Sequence, residues 1–115
     1  MMYISKQSDD RFKAFATRVR LGIKRKQVVL GKQRLFLLCK RENVSLVWAS
    51  DRLSNHALGK LKLECEKYKI PLLLFGSPEH IGETTGESSV KVYILKKSFS
   101  GISQILKEFR EFFIE

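Results

Sequence analysis

Apolar residues recur along the chain in two rhythms, and the alternation between them sets the expected architecture. Phe12, Phe15, Ala16, Val19 and Ile23 fall three or four apart, the spacing that gathers side chains on one face of an α-helix. Ser8 offers an N-cap for that helix, and Asp9 and Asp10 stand in its first turn, where the helix dipole favours negative charge. The run Val28, Val29, Leu30 is β-type and is closed by Gly31. Residues 35–39 are apolar without a clear period, so periodicity leaves open both a helix over 32–41 and the second strand of a hairpin.

Further along, 46–49 reads as a buried strand, and Leu58, Leu61, Cys65 and Tyr68 mark a helix capped by Ser54. Two more strands are expected over 71–75 and 90–95. Between them Ser77, Pro78 and Glu79 supply an N-cap followed by Pro at the first helical position, so a short helix is expected to begin there and fade near Gly82 or Gly86. Ser98 is then expected to cap a last helix whose apolar stripe is Phe99, Ile102, Leu106, Phe109 and Phe113, with Arg110 and Glu111 left to solvent. Four short strands alternating with helices predict an α/β fold, a small parallel or mixed sheet with helices on both faces. No repeat or linker interrupts the 115 residues, which predicts one domain over 1–115.

Charge changes this picture from a generic small domain to one with a polyanion-facing side. The formal net charge is +10, and residues 1–45 hold twelve basic residues against three acidic ones. A charge confined to one part of the chain suggests a footprint for nucleic acid or an anionic membrane surface, nucleic acid first, ahead of a merely solvated surface. Arg11, Lys13, Arg18 and Arg20 share the polar face of the first helix, which runs into the cluster Lys24, Arg25, Lys26. No apolar leader opens the chain and no stretch approaches eighteen apolar residues, so the expected compartment is the cytoplasm, with no membrane partner.

Catalytic chemistry finds little support. Nucleophilic catalysis needs a Ser or Cys beside a base, and the two histidines, His56 and His80, fall on an exposed helix stretch and beside a loop, where a solvated role accounts for them. Cys39 and Cys65 occur singly in apolar stretches, which predicts buried thiols rather than a metal site. The carboxylates Asp51, Glu79, Glu83 and Glu87 lack the spacing of a cation loop. The expectation is a protein without catalytic residues, metal or cofactor.

The segment Gly31, Lys32, Gln33, Arg34 remains, at the end of a strand and the possible start of a helix. With a helix there, its free N–H groups and two side-chain cations form an anion site, and Gln33 and Arg34 reach base edges wherever a groove is opened. Without one, Gly31 serves a tight turn and its neighbours are surface residues.

At this point several motifs in order resemble a known family. They are Gly31, the β-type run 45–51, the lead-in Cys65-x-x-Tyr68-x-x-Pro71, Gly76-Ser77, and the turn Ile81-Gly82-x-x-x-Gly86. Together they cover about residues 12–112 and resemble the kink-turn-binding ribosomal protein superfamily, of L-seven-Ae and L-thirty-e type with small bacterial relatives. The resemblance implies a three-layer α/β/α sandwich with a small mixed four-stranded sheet, and a helix over 32–41. It implies structured RNA, ribosomal in kind, as partner. Gly31, Lys32, Gln33 and Arg34 would enter the RNA at its bend, and Gly86, Glu87, Ser88, Ser89 and Val90 would hold a flipped-out nucleotide. Arg18, Arg20, Lys24, Arg25 and Lys26 complete the expected RNA-binding set through their charge.

Gln33, Arg34 and Leu37 stand where the family usually has Asn, Glu and Lys, and Lys24 to Gln27 replace an Ala-Gly-Lys turn. These departures imply general RNA affinity with reduced kink-turn selectivity. The alternative reading is a protein-interaction module on the same scaffold, its basic patch meeting an acidic partner.

Overall fold

The computed structural model describes residues 2–75 and 90–114, with side chains for 11, 13–75 and 90–113. The first helix, α1, spans Met2–Lys24. Phe15, Ala16 and Val19 are buried on it and Ile23 packs beside them. Ser8 therefore lies inside the helix and is not its N-cap. No Pro or Gly precedes Gly22 to stop the helix from extending upstream.

Strands β1 (Val28–Leu30), β2 (Leu46–Ala49), β3 (Leu72–Leu74) and β4 (Val92–Leu95) fall within or upon the expected segments. A fifth, β5 (Phe113–Ile114), extends the mixed sheet to the order β1-β4-β2-β3-β5. Strands β2 and β3 run parallel, with Val47 opposite Leu72, and the other pairings are antiparallel. Every central strand is buried on both faces, and the period of two sorts its residues between layers. Leu46, Trp48, Leu73, Tyr93 and Leu95 face α1 and the last helix, α4 (Ile102–Glu108). Val47, Ala49, Leu72, Val92 and Ile94 face α2 (Leu35–Lys40) and α3 (Asn55–Lys67). The result is the three-layer α/β/α sandwich.

Aromatic rings fill the α1/α4 layer. Phe15 meets Trp48 edge-on at 4.6 Å and Phe75 stands 4.9 Å from Phe109. The Trp48 indole N–H donates to the Phe75 carbonyl oxygen at 3.1 Å, so this large side chain is buried without a stranded donor.

Helix α3 begins as expected, with the Ser54 hydroxyl accepting the Ala57 N–H at 3.1 Å. Three other boundaries differ. The hairpin alternative for 32–41 is excluded, yet α2 is a helix of six residues that starts only at Leu35, because Lys32 to Arg34 form a turn and Arg34 at the N-cap has no capping side-chain bond. Ser98 caps nothing: Phe99 is held in the core by a turn, its N–H on the Lys96 carbonyl at 3.0 Å, and the chain reorients at Gly101 (φ +80°) before α4 begins. On α4 the buried residue is Ile105 rather than Leu106, and Phe113 leaves the helical stripe to pair with Leu73 across the open edge of β3. The expected helix at Ser77, Pro78 and Glu79 lies outside the described residues.

Candidate nucleic-acid interface

Gly31 ends β1 at φ +83°, a left-handed geometry that a residue without Cβ adopts freely, and its N–H donates to the Val92 carbonyl oxygen at 2.7 Å. That bond pins the turn to the start of β4. Lys32, Gln33 and Arg34 follow, all exposed. On the neighbouring strand, the N–H of the fully buried Ser50 donates to the Lys91 carbonyl oxygen at 2.8 Å, while its hydroxyl accepts the Arg52 N–H at 3.0 Å. These contacts gather Leu30, Gly31, Lys32, Gln33, Leu53 and residues 90–92 around an open hollow of about 430 Å³ at one end of the sheet.

The hollow joins the Gly31 turn to Val90, the last residue of the second expected RNA element. Gly86, Glu87, Ser88 and Ser89 lie outside the described residues. Lys91 and Leu53 line the hollow and were absent from the sequence-based set. A lysine leading into an apolar strand was the only local signal for Lys91, and it reads equally as an ordinary strand start.

The basic face of α1 divides. Arg18 Nη2 donates to the Ser100 carbonyl oxygen at 2.8 Å and its guanidinium lies 5.7 Å from the Phe99 ring centre. Arg11 Nη1 donates to the Glu108 carbonyl oxygen at 2.6 Å, Nη2 pairs with Glu111 at 3.3 Å, and the group sits 5.4 Å from the Phe109 ring centre. Both guanidiniums tie α1 to the C-terminal segment. Lys13 and Arg20 are exposed on the same helix.

Lys24, Arg25 and Lys26 are exposed where α1 ends. The Gln27 carbonyl oxygen accepts the Lys96 N–H at 2.9 Å, which places Lys96 and Lys97 beside that cluster. At about 3.3 Å per strand residue, β1 separates this cluster from Gly31 by roughly 15 Å. The sites expected from charge and from the Gly31 turn are thus two poles of the sheet rather than one patch.

Cys39 and Cys65 are free and buried between α2 and α3. Burial, helped by the negative charge of Glu64, raises the Cys39 thiol and, with Cys39 itself nearby, pushes Cys65 up to about 12. Both are protonated thiols at neutral pH. Glu111 is held below the usual carboxylate range by its own backbone N–H and then by Arg11.

The architecture defines the chain as a small three-layer α/β/α protein with a basic sheet end. Solved structures share the fold, and two of them are similar over most of the chain. One is a protein of unknown function from Bacillus halodurans, with a TM-score of 0.70 and 23% identity over 84% of this chain and 95% of that one. The other is the Giardia lamblia 15.5kD RNA binding protein, with a TM-score of 0.70 and 17% identity over 85% of this chain and 86% of that one. Comparison of the sequence with protein-family models and with curated proteins gives no match. Among the described residues no helix is long and apolar enough to cross a membrane.

Proposed function

We propose that this chain binds structured RNA, using the hollow at the Gly31 turn as its reading surface and the cluster Lys24, Arg25, Lys26 as a phosphate grip. The observation that carries this is the meeting of Gly31, Lys32 and Gln33 with Val90 and Lys91 around one hollow, in a chain of net charge +10. Exposed cations and a backbone turn at the rim fit phosphate, and the amide and guanidinium of Gln33 and Arg34 fit exposed base edges. The Giardia protein of the same fold, named for RNA binding, supports the class of ligand. Ribosomal RNA with a kinked bend is the natural target within this reading, encountered in the cytoplasm, and no catalytic step is involved.

Arg34 adds attraction to any phosphate, whereas a carboxylate at that position would discriminate between bases. Affinity therefore survives and selectivity falls. Four dissociation constants test it: wild type and the Gln33→Asn, Arg34→Glu double variant, each against a kink-turn duplex and a matched straight duplex. The wild type is expected to bind both within about tenfold, or 1.4 kcal/mol, and the double variant to shift toward the kinked RNA. Failure to bind either RNA overturns the function. A wild-type preference for the kink above about a hundredfold, or 2.7 kcal/mol, overturns the reading of Gln33 and Arg34.

A further inference from the structure

The end of the sheet opposite the Gly31 turn holds more charge than the cluster that closes α1. Four strand ends lie side by side there in the order β1-β4-β2-β3, and backbone bonds tie their flanking turns together. The Ser45 N–H donates to the Leu95 carbonyl oxygen at 2.8 Å and the Val47 N–H to the Pro71 carbonyl oxygen at 3.0 Å. The Lys97 N–H donates to the Asn43 side-chain oxygen at 3.4 Å, and Lys97 shares the wall of a hollow of about 200 Å³ with Glu42, Tyr68 and Ile70. Each turn brings a cation to this end: Lys26 before β1, Lys96 and Lys97 after β4, Arg41 before β2 and Lys69 before β3. Arg41, Lys69 and Lys97 are exposed and Lys96 is half-buried. Among the described residues no carboxylate pairs with any of them.

Two observations separate this row from ordinary surface charge. A helix C-terminus favours a nearby cation, which accounts for Arg41, but Lys96 and Lys97 end a strand and answer to no helix. Lys69 stands in the left-handed region at φ 56°, where glycine is the favoured occupant, so a lysine is kept there at a conformational cost.

We propose that Arg41, Lys69, Lys96 and Lys97 form a second RNA-binding face, which takes the phosphates of a separate duplex so that one chain joins two RNA segments. At about 4.8 Å between neighbouring strands, the row from β1 to β3 extends roughly 14 Å across the sheet. An RNA that runs from the Gly31 turn along β1 reaches Lys24, Arg25 and Lys26 at the border of this row and leaves its β4-to-β3 part uncovered. The two faces lie at opposite ends of the strands, so two duplexes held there point away from each other. Lysine is a point charge without a recognition fork, so the face grips phosphates and reads no sequence. Glu42 is the one carboxylate in these turns and opposes the phosphates. The inference deepens the RNA-binding reading and rests on it.

The test uses the full chain and two straight RNA duplexes, one biotinylated and held on beads in excess over protein, the other fluorescent and in solution. Wild type is expected to retain the fluorescent duplex on the beads, with a log-log salt slope of about −3 to −4 for four phosphate contacts. Sedimentation is expected to give one chain per two duplexes. The triple variant Lys69→Gln, Lys96→Gln, Lys97→Gln is expected to lose retention about tenfold or more while binding a single duplex within about twofold of wild type. Glu42→Gln is expected to tighten retention about two- to threefold by removing one repulsive charge, a gain that a misfolded protein does not give. Thermal melts establish that the variants fold. No retention, retention that survives the triple variant, or a complex with two chains overturns the second face while single-duplex binding upholds the RNA reading. Capture of a fluorescent polyglutamate peptide in place of the duplex overturns it in favour of an acidic protein partner. Loss of single-duplex binding in wild type overturns the RNA reading and the second face with it.

Discussion

Single side chains here are placed by contacts that leave little room for change. A Cβ added at Gly22 would stand 2.8 Å from both the Phe99 ring and the Val28 methyl, because α1 crosses β1 and the buried Phe99 at that point. Rings and strand side chains in a packed core do not yield cheaply, so Gly22→Ala is expected to destabilise the protein by about 1–3 kcal/mol, read as a lower urea midpoint at unchanged slope. The thiols give a pH dependence with a definite sign. Unfolded Cys65 ionises near the ordinary thiol value of 9.0, whereas in the fold it is pushed up to about 12. Between those values the native state holds a proton that the unfolded state has lost, so stability is intact below about pH 9 and declines as pH rises toward 12. Denaturant midpoints measured from pH 7 to 11 are expected to fall in wild type and to fall less in Cys65→Ala.

Helix ends form the next level. Three helices close in the same way, with a non-glycine residue in the left-handed region just beyond the last turn: Lys26 at φ 59°, Glu42 at 53° and Lys69 at 56°. Each is followed by a reach-back bond, from Gln27 N–H to Gly22 O, Asn43 N–H to Leu38 O, and Ile70 N–H to Cys65 O, at 2.7, 2.9 and 2.8 Å. Glycine is the usual occupant of such a position, since a Cβ there is crowded by the backbone. Glu42→Gly is therefore expected to stabilise the fold by roughly 0.5–1 kcal/mol, a rise of a few degrees in Tm, a gain that Glu42→Ala does not reproduce. Arg11 and Arg18 act between elements, holding α1 against the C-terminal segment through carbonyl oxygens and aromatic faces.

For the molecule as a whole the organising quantity is charge at two poles. Five to eight phosphate contacts give a log-log salt slope of about −4 to −7 by counterion release. A titration of duplex RNA affinity against salt is expected to show that slope. Neutralising Lys24, Arg25 and Lys26 together is expected to flatten it by about two to three. Arg18→Ala is expected to lower Tm and leave the slope nearly unchanged, since its guanidinium is bound to Ser100 and Phe99. A slope near zero in wild type would exclude the electrostatic mode.

Local signals sufficed for much of this architecture. The helical face of Phe15, Ala16 and Val19, the Ser54 cap, the β-type runs and the Gly31 turn each depend on a few neighbouring residues, and each is found where the pattern placed it. Buried thiols at Cys39 and Cys65 were legible for the same reason, as single cysteines in apolar surroundings. Of the candidate site, Gly31, Lys32, Gln33 and Val90 were legible as pieces; their convergence on one hollow was not, because it depends on β1 pairing with β4 across more than sixty residues of chain. Long-range packing likewise decided what local rules could not. Phe113 keeps helical spacing from Phe109, yet the unpaired edge of β3 draws it into a strand. Ser98 has the chemistry of a cap, yet burial of Phe99 delays the helix past Gly101. Arg11 and Arg18 carry the charge of a phosphate grip, yet carbonyl oxygens from the far end of the chain occupy them. Propensity and periodicity act over a few residues, whereas the partner of a strand edge, a ring or a guanidinium is set by the tertiary fold.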